Sequence, residues 1–134
     1  MQLLKISYKE LNARQKEVFN CQKVASLLAD YGFNCIKLDD DWQGADFLAY
    51  HKDGVDTLKV QLKPRPGIAK KYCNKNIYVA FPLNGDWYLI KHDALVEKVG
   101  RFTNWLNTES WKKGAYTSRG LNRPLLDSLS ENRL

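Results

Sequence analysis

Residues 44–65 read GADFLAYHKDGVDTLKVQLKPR, and this stretch decides the fold. Residues 45–50 and 57–63 have the short, apolar-rich, alternating composition that is typical of β-strands. The Asp53-Gly54 pair between them is a strong signal for a tight hairpin turn. The two prolines that follow end the second strand, because proline lacks the N–H donor that a central strand requires. The stretch therefore predicts an antiparallel hairpin.

This hairpin predicts a cluster of polar side chains. Gln61 and Lys63 are two residues apart on one strand, so both side chains project from the same face. Asp46 lies at the start of the other strand, which the turn folds back beside Gln61. Taken singly, Asp46 is equally compatible with a turn cap after Gly44, and Gln61 and Lys63 with a solvated strand face. The joint pattern favours a functional cluster.

Phosphodiester hydrolysis is the chemistry that such a cluster suits. Mg²⁺ prefers oxygen ligands, and the candidates are the carboxylate of Asp46, the amide oxygen of Gln61 and the backbone carbonyl of Leu62. Lys63 would orient the attacking water or stabilise the developing negative charge. Arg65, just past the strand, would contact a neighbouring phosphate.

The same segment resembles the core of the PD-(D/E)XK nuclease superfamily, which includes many restriction endonucleases and Holliday-junction resolvases. That family has a helix followed by strands that carry an Asp and then an (E/Q)-x-K triplet, here Asp46 and Gln61-Leu62-Lys63. The triplet with glutamine in place of the usual acid most resembles that of the Mrr-type restriction enzymes. The resemblance implies an α/β fold with a restriction-endonuclease-like core, in which an N-terminal helix precedes a mixed central sheet with flanking helices. It also implies a Mg²⁺- or Mn²⁺-dependent endonuclease with Asp46, Gln61 and Lys63 as catalytic residues.

Many members of that family add a metal ligand from the first helix. Glu17 is the natural candidate here, although by its spacing to Gly32 the residue Asn20 falls nearer the family's position. With Gln61 neutral, Asp46 is the only firm carboxylate of the predicted metal site unless Glu17 reaches it.

Periodicity and turn residues predict the rest of the chain. Asn12 caps a helix that runs to residue 31 and ends at Gly32. The later elements, in chain order, are a strand at 33–38, a solvated acidic loop at Asp39–Asp41, a short helix or basic loop at 67–73, a strand at 76–81, a turn at 82–86, a strand at 87–90, a helix at 93–99 capped by Asp93, and a final helix at 123–129.

We expect one nuclease-like domain over residues 1–134, with its core at about 12–99 and a basic, aromatic C-terminal extension at 100–134. Trp105 and Trp111 in this extension either cover the core or contact a partner. The three cysteines and two histidines show no zinc-binding spacing, and unpaired thiols agree with a cytoplasmic protein.

Charge favours a polyanionic partner. The net charge is +6 and the sequence pI is about 9.2, so we expect nucleic acid to bind, with DNA favoured over RNA, and Arg65, Lys70 and Lys71 to contact it. No apolar run approaches the roughly 20 residues of a membrane-spanning helix, so no membrane partner is expected. A chain of this size has no obvious specificity domain, so a homodimer or a partner protein would supply one.

Three functions follow from these features. The first is the metal-dependent endonuclease. The second is a nuclease-fold module that binds nucleic acid and cleaves it weakly or not at all. The third is an accessory subunit whose aromatic C-terminal extension docks on another protein, which requires an exposed apolar patch around Trp105 and Trp111.

Overall fold

The hairpin predicted from residues 44–65 lies at the centre of a five-stranded sheet. The computed structural model describes all residues, 1–134. Its elements, in chain order, are α1 (Ala13–Ala29), β1 (Phe33–Trp42), β2 (Ala45–His51), β3 (Thr57–Leu62), β4 (Gly67–Ala69), β5 (Ile77–Leu83), β6 (Asp86–Lys91), α2 (His92–Phe102), α3 (Glu109–Lys112), β7 (Ala115–Thr117) and α4 (Arg123–Ser128).

The main sheet is mixed, with strand order β1-β2-β3-β5-β6. Neighbouring strands are antiparallel except β3 and β5, which are parallel. Strands β4 and β7 form a separate two-stranded antiparallel sheet. The predicted fold class, an N-terminal helix followed by a mixed central sheet with flanking helices, is confirmed.

Helix α1 begins where the sequence predicts, after Asn12, and ends at Ala29, two residues before the predicted end at residue 31. The side chain of Asn12 accepts a hydrogen bond from the backbone N–H of Gln15, and the Gln15 side chain accepts one from the backbone N–H of Asn12. This reciprocal capping satisfies two donors that the first turn otherwise leaves free. After the helix, Gly32 has a φ of +87°, the left-handed conformation that glycine adopts without strain.

Two loop predictions were wrong because strands continue through them. Strand β1 extends to Trp42, so Asp39–Asp41 belong to it rather than to a loop. Its register with β2 is irregular between Lys37 and Trp42, and this irregularity accompanies the exposed acidic side chains. Strand β5 continues through Pro82 to Leu83. Since β3 ends at Leu62, opposite Ala80, Pro82 has a paired neighbour only on the β6 side, and a missing N–H is tolerated where the other side of the strand is unpaired.

The predictions for 67–73 and for the 93–99 helix were partly wrong. A 3-10 turn at Lys70–Tyr72 is present, but Gly67–Ala69 forms a strand because it pairs with β7, far along the chain. Helix α2 begins at His92, and Asp93 does not cap it. The carboxylate of Asp93 instead accepts a hydrogen bond from the backbone N–H of Asn74, at 3.0 Å.

The core has two clusters. One lies between α1 and the sheet and includes Val24, Leu28 and Phe47. The other lies beneath α2 and the C-terminal elements and includes Trp105 and Leu125. Residues 100–134 therefore contribute buried side chains to the core. None of the helices combines the length and the apolar composition that a membrane span requires.

Candidate active site

The register of β2 and β3 places Asp46 beside Gln61. The last paired residues of the ladder are Phe47 and Val60, so Asp46 follows on one strand and Gln61 on the other. Beyond this pair a side chain, not the backbone, joins the two strands. Oδ2 of Asp46 accepts a hydrogen bond of 2.8 Å from the backbone N–H of Leu62. The carboxylate is thereby fixed at the place where the two strands separate.

A cleft of about 230 Å³ contains the predicted cluster. It is lined by Glu17, Asn20, Asp46, Gln61, Leu62, Lys63 and Pro64. The structure thus brings together the three predicted catalytic residues, the Leu62 backbone and both candidates from α1.

Gln61 presents an unsatisfied oxygen in this cleft. Its Nε2 donates to the Leu62 carbonyl oxygen at 3.4 Å, whereas its Oε1 is buried without a hydrogen-bond partner. A buried polar atom without a partner is costly, and a bound cation is one way to satisfy it. The nearby groups that could act as metal ligands are a carboxylate, an amide oxygen and a backbone carbonyl. These all-oxygen groups fit a hard divalent cation such as Mg²⁺.

Burial dominates the electrostatics of the cleft. Desolvation raises the pKa of Asp46 above its ordinary value of 3.8, and the Leu62 N–H opposes this effect. The negative charges of Glu17 and Asp41 also raise the Asp46 pKa, while Lys63 lowers it. Desolvation is the largest cause that lowers the pKa of Lys63, and the positive charge of Lys71 lowers it further. The negative charge of Asp46 opposes both effects. Both groups therefore carry charges that the fold alone does not fully stabilise, as is common at functional sites.

Tyr72 supports Lys63 through a contact that sequence patterns do not predict. The Lys63 Nζ lies 5.2 Å from the centroid of the Tyr72 ring, within cation–π range. Tyr72 is buried and comes from the 3-10 turn after β4. Only the three-dimensional packing of that turn brings it to the strand that carries Lys63.

The two candidates from α1 already have other contacts. Glu17 Oε1 lies 3.9 Å from Lys37 Nζ, and its side chain is 51% exposed. Asn20 Nδ2 donates to the Tyr8 hydroxyl at 3.0 Å. Both residues line the cleft, but Glu17 is the one that can add a negative charge to it.

The three predicted nucleic-acid contacts have different surroundings. Arg65 is exposed and lies outside the cleft. The Nζ of Lys70 lies 5.5 Å from the ring centroid of Trp111. Lys71 alone adjoins the site, with its Nζ 5.1 Å from the Tyr72 ring.

A second group of metal-ligand types lies outside the cleft and was not anticipated. Ligand atoms of Cys73, His92 and Asp93 are all within 4.8 Å of one another. The backbone N–H of Ala69 donates to His92 Nε2 at 3.0 Å, so in the neutral ring the proton lies on Nδ1. Nδ1 is buried without a hydrogen-bond partner, but as the protonated nitrogen it offers no lone pair to a metal. Burial raises the pKa of the Cys73 thiol and lowers that of His92, which keeps both groups neutral. The group is therefore a poor zinc site.

Comparison with known proteins gives similarity at the level of three-dimensional structure. No family model matches the chain, and no curated protein matches it in sequence. The bacterial homing endonuclease I-Ssp6803I is 11% identical and has a TM-score of 0.48, with 84% of this chain and 78% of that chain covered. The Holliday junction resolvase Hjc of Archaeoglobus fulgidus is 15% identical and has a TM-score of 0.42, with 57% of this chain and 76% of that chain covered.

Proposed function

We propose that this protein is a divalent-metal-dependent endonuclease that hydrolyses phosphodiester bonds in DNA. The observation that carries the proposal is the placement of three groups in one cleft. These are the Asp46 carboxylate, the unpartnered Oε1 of Gln61 and the desolvated ammonium of Lys63. The net charge of +6 supports a polyanionic substrate.

The metal would be held by the Asp46 carboxylate, the Gln61 amide oxygen and the Leu62 carbonyl, with Glu17 as an additional ligand. When bound, Mg²⁺ or Mn²⁺ supplies a water of lowered pKa and neutralises charge on the phosphate. The Leu62 N–H fixes the orientation of Asp46. Lys63, held against Tyr72, donates hydrogen bonds to the phosphate oxygens or to the attacking water. Hydrolysis would form a bond from water oxygen to phosphorus and break one P–O ester bond, with the proton that the water loses balanced by the proton that the departing sugar oxygen gains.

A module that binds nucleic acid without cleaving it is the second candidate. Gln61 is neutral, and Glu17 is half exposed and lies near Lys37. Asp46 is therefore the only carboxylate that the two strands supply to the cleft, and one carboxylate holds a metal weakly. The accessory-subunit hypothesis has less support, since Trp105 is only 6% exposed and Trp111 packs against the core.

A cleavage assay separates the two candidates. Supercoiled plasmid, linear duplex and single-stranded DNA are incubated with the protein and Mg²⁺ or Mn²⁺, with and without chelator. We expect the wild type to cleave and Lys63→Ala to lose at least about 100-fold in rate. Lys52→Ala, in the exposed turn between β2 and β3, is the matched control and keeps wild-type activity. Equal cleavage by all three proteins would refute the assignment of Lys63, whereas binding without cleavage by the wild type would favour the second candidate.

A further inference from the structure

A second cavity, of about 440 Å³, adjoins the candidate active site. Its lining comes from the tip of the β1–β2 hairpin, from β3 and from the segment after β4. The lining residues are Asp41, Gln43, Gly44, Lys59, Lys71, Tyr72 and Lys75. We call this cavity the lysine pocket, because Lys59, Lys71 and Lys75 supply its positive charge.

The ammonium of Lys59 is held in a fixed position in the lysine pocket. Its Nζ donates to the Lys75 carbonyl oxygen at 2.8 Å and to Gln43 Oε1 at 3.4 Å. An ammonium has three N–H donors, so one donor is left for a ligand. Lys59 is partly buried. Because its side chain is already ordered, binding of an anion costs less side-chain entropy than at a mobile lysine.

The positive charge of the lysine pocket is not neutralised by ion pairs. None of the ion pairs in the structure includes Lys59, Lys71 or Lys75. Asp41 also lines the pocket, but one carboxylate against three ammonium groups leaves a net positive charge. A concave site with excess positive charge and an oriented donor is suited to phosphate.

Tyr72 joins the lysine pocket to the catalytic cleft. It lines the pocket, and its ring centroid lies 5.2 Å from the Nζ of Lys63 in the cleft. Gly44 packs directly against the Tyr72 ring, as shown by the 3.0 Å that would separate a Cβ at position 44 from Tyr72 Cε1. The two cavities are therefore neighbours separated by one aromatic side chain.

We infer that the lysine pocket binds a backbone phosphate of the nucleic acid, adjacent to the phosphate that is cleaved beside Asp46. The inference rests on the proposed function for the identity of the strand. Phosphate binding in the pocket itself does not require catalysis and is tested without it.

The first test is the salt dependence of binding. The Kd of a labelled DNA duplex is measured by fluorescence anisotropy in metal-free buffer over a range of salt concentrations, for the variant Lys71→Gln/Lys75→Gln. We expect affinity to fall by about 10-fold and the slope of log Kd against log salt to fall by about one, since one lost phosphate contact removes about 0.9 from the slope. The control Lys52→Gln/Lys113→Gln removes the same charge from exposed positions outside both cavities. Equal slopes for the two double variants would overturn the inference.

The second test distinguishes nucleic acid from small phosphate compounds. Lysine ammonium NMR signals are followed during titration with the duplex, inorganic phosphate or a mononucleotide. We expect the Lys59 signal to shift with stoichiometric duplex and not with a similar concentration of either small anion. Saturation by inorganic phosphate or mononucleotide, with duplex binding unchanged in the pocket variant, would overturn the assignment to the backbone. If the salt slopes differ as expected but the wild type does not cleave, only the nuclease proposal fails. Cleavage with equal slopes refutes only the lysine pocket.

Discussion

The backbone N–H of Leu62 donates a hydrogen bond of 2.8 Å to Oδ2 of Asp46. This bond joins the two central strands just beyond their last paired residues, Phe47 and Val60. It fixes the position of Oδ2, whereas Oδ1 of the same carboxylate does not take part in this hydrogen bond. The position of Asp46 is therefore set by the backbone of the same triplet that supplies Gln61 and Lys63.

Replacing Asp46 by Asn will stabilise the protein while abolishing cleavage. Burial raises the pKa of Asp46 above 3.8, so between 3.8 and the raised pKa the folded protein binds more protons than the unfolded chain, and stability falls as pH rises through this range. Asn keeps an oxygen for the Leu62 N–H but carries no charge. We expect the free energy of unfolding at pH 7 to rise by about 1 kcal/mol in urea denaturation. Asp40→Asn, at an exposed position, should change it by less than about 0.5 kcal/mol. A less stable Asp46→Asn protein would contradict this account.

Replacing Gln61 by Glu will strengthen metal binding and weaken the metal-free protein. A second carboxylate beside Asp46 adds like-charge repulsion, which we expect to cost about 1 kcal/mol of stability without metal at pH 7. A divalent cation that binds only the folded state raises the melting temperature. Thermal denaturation should therefore show a larger Mg²⁺-induced rise in Tm for Gln61→Glu than for wild type. Gln22→Glu, on the exposed face of α1, should respond as the wild type does, and an equal response of Gln61→Glu would argue against the metal site.

His92 will make the protein sensitive to mild acid. Its ring is 1% exposed, and burial lowers its pKa below the ordinary value of 6.5. Below pH 6.5 the unfolded chain binds a proton that the folded protein excludes, so the stability present above pH 6.5 is lost as pH falls. We expect the free energy of unfolding to fall by about 1–2 kcal/mol between pH 7 and pH 5. His92→Gln should flatten this dependence, and an unchanged pH profile in that variant would assign the acid sensitivity to other groups.

Two glycines in hairpin turns will respond differently to alanine. Gly44 and Gly54 have φ values of +87° and +76°, so alanine is strained at both positions. At position 44 the added Cβ would also lie 2.6 Å from Ile77 Cδ1, whereas at position 54 it meets nothing within 4 Å. We expect Gly54→Ala to cost about 1 kcal/mol and Gly44→Ala about 2–3 kcal/mol in chemical denaturation. Equal losses would show that the β1–β2 hairpin tip does not pack tightly on Ile77 and Tyr72.

Local sequence patterns predicted the part of the site that depends on local structure. The capped helix α1 and the Asp53-Gly54 hairpin are encoded by neighbouring residues, and the hairpin register brings Asp46 to Gln61. Glu17 and Asn20 reach the cleft because α1 precedes the sheet directly. These contacts required only the period of each element and the position of one turn.

Contacts between distant segments were not predictable in the same way. Strand β4 has only three residues and forms because β7 pairs with it. Tyr72 reaches Lys63 only after that pairing has placed the 3-10 turn beside β3. Proline at position 82 indicated a turn, but its place in the sheet allowed the strand to continue. The lysine pocket was missed for the same reason, since it combines residues from three segments.

The two outer strands of the main sheet are protected against association in different ways. Strand β6 is covered by the end of the chain, where Leu134 N donates to the Trp87 carbonyl oxygen and Arg133 bridges to Tyr88. Strand β1 has no such cover and exposes Ile36 and Trp42. Its Asp39–Asp41 run would bring like charges together if a second chain paired there, and such charges oppose edge-to-edge aggregation. Replacing these aspartates with apolar residues would therefore expose an open strand edge on which fibrils can begin to grow.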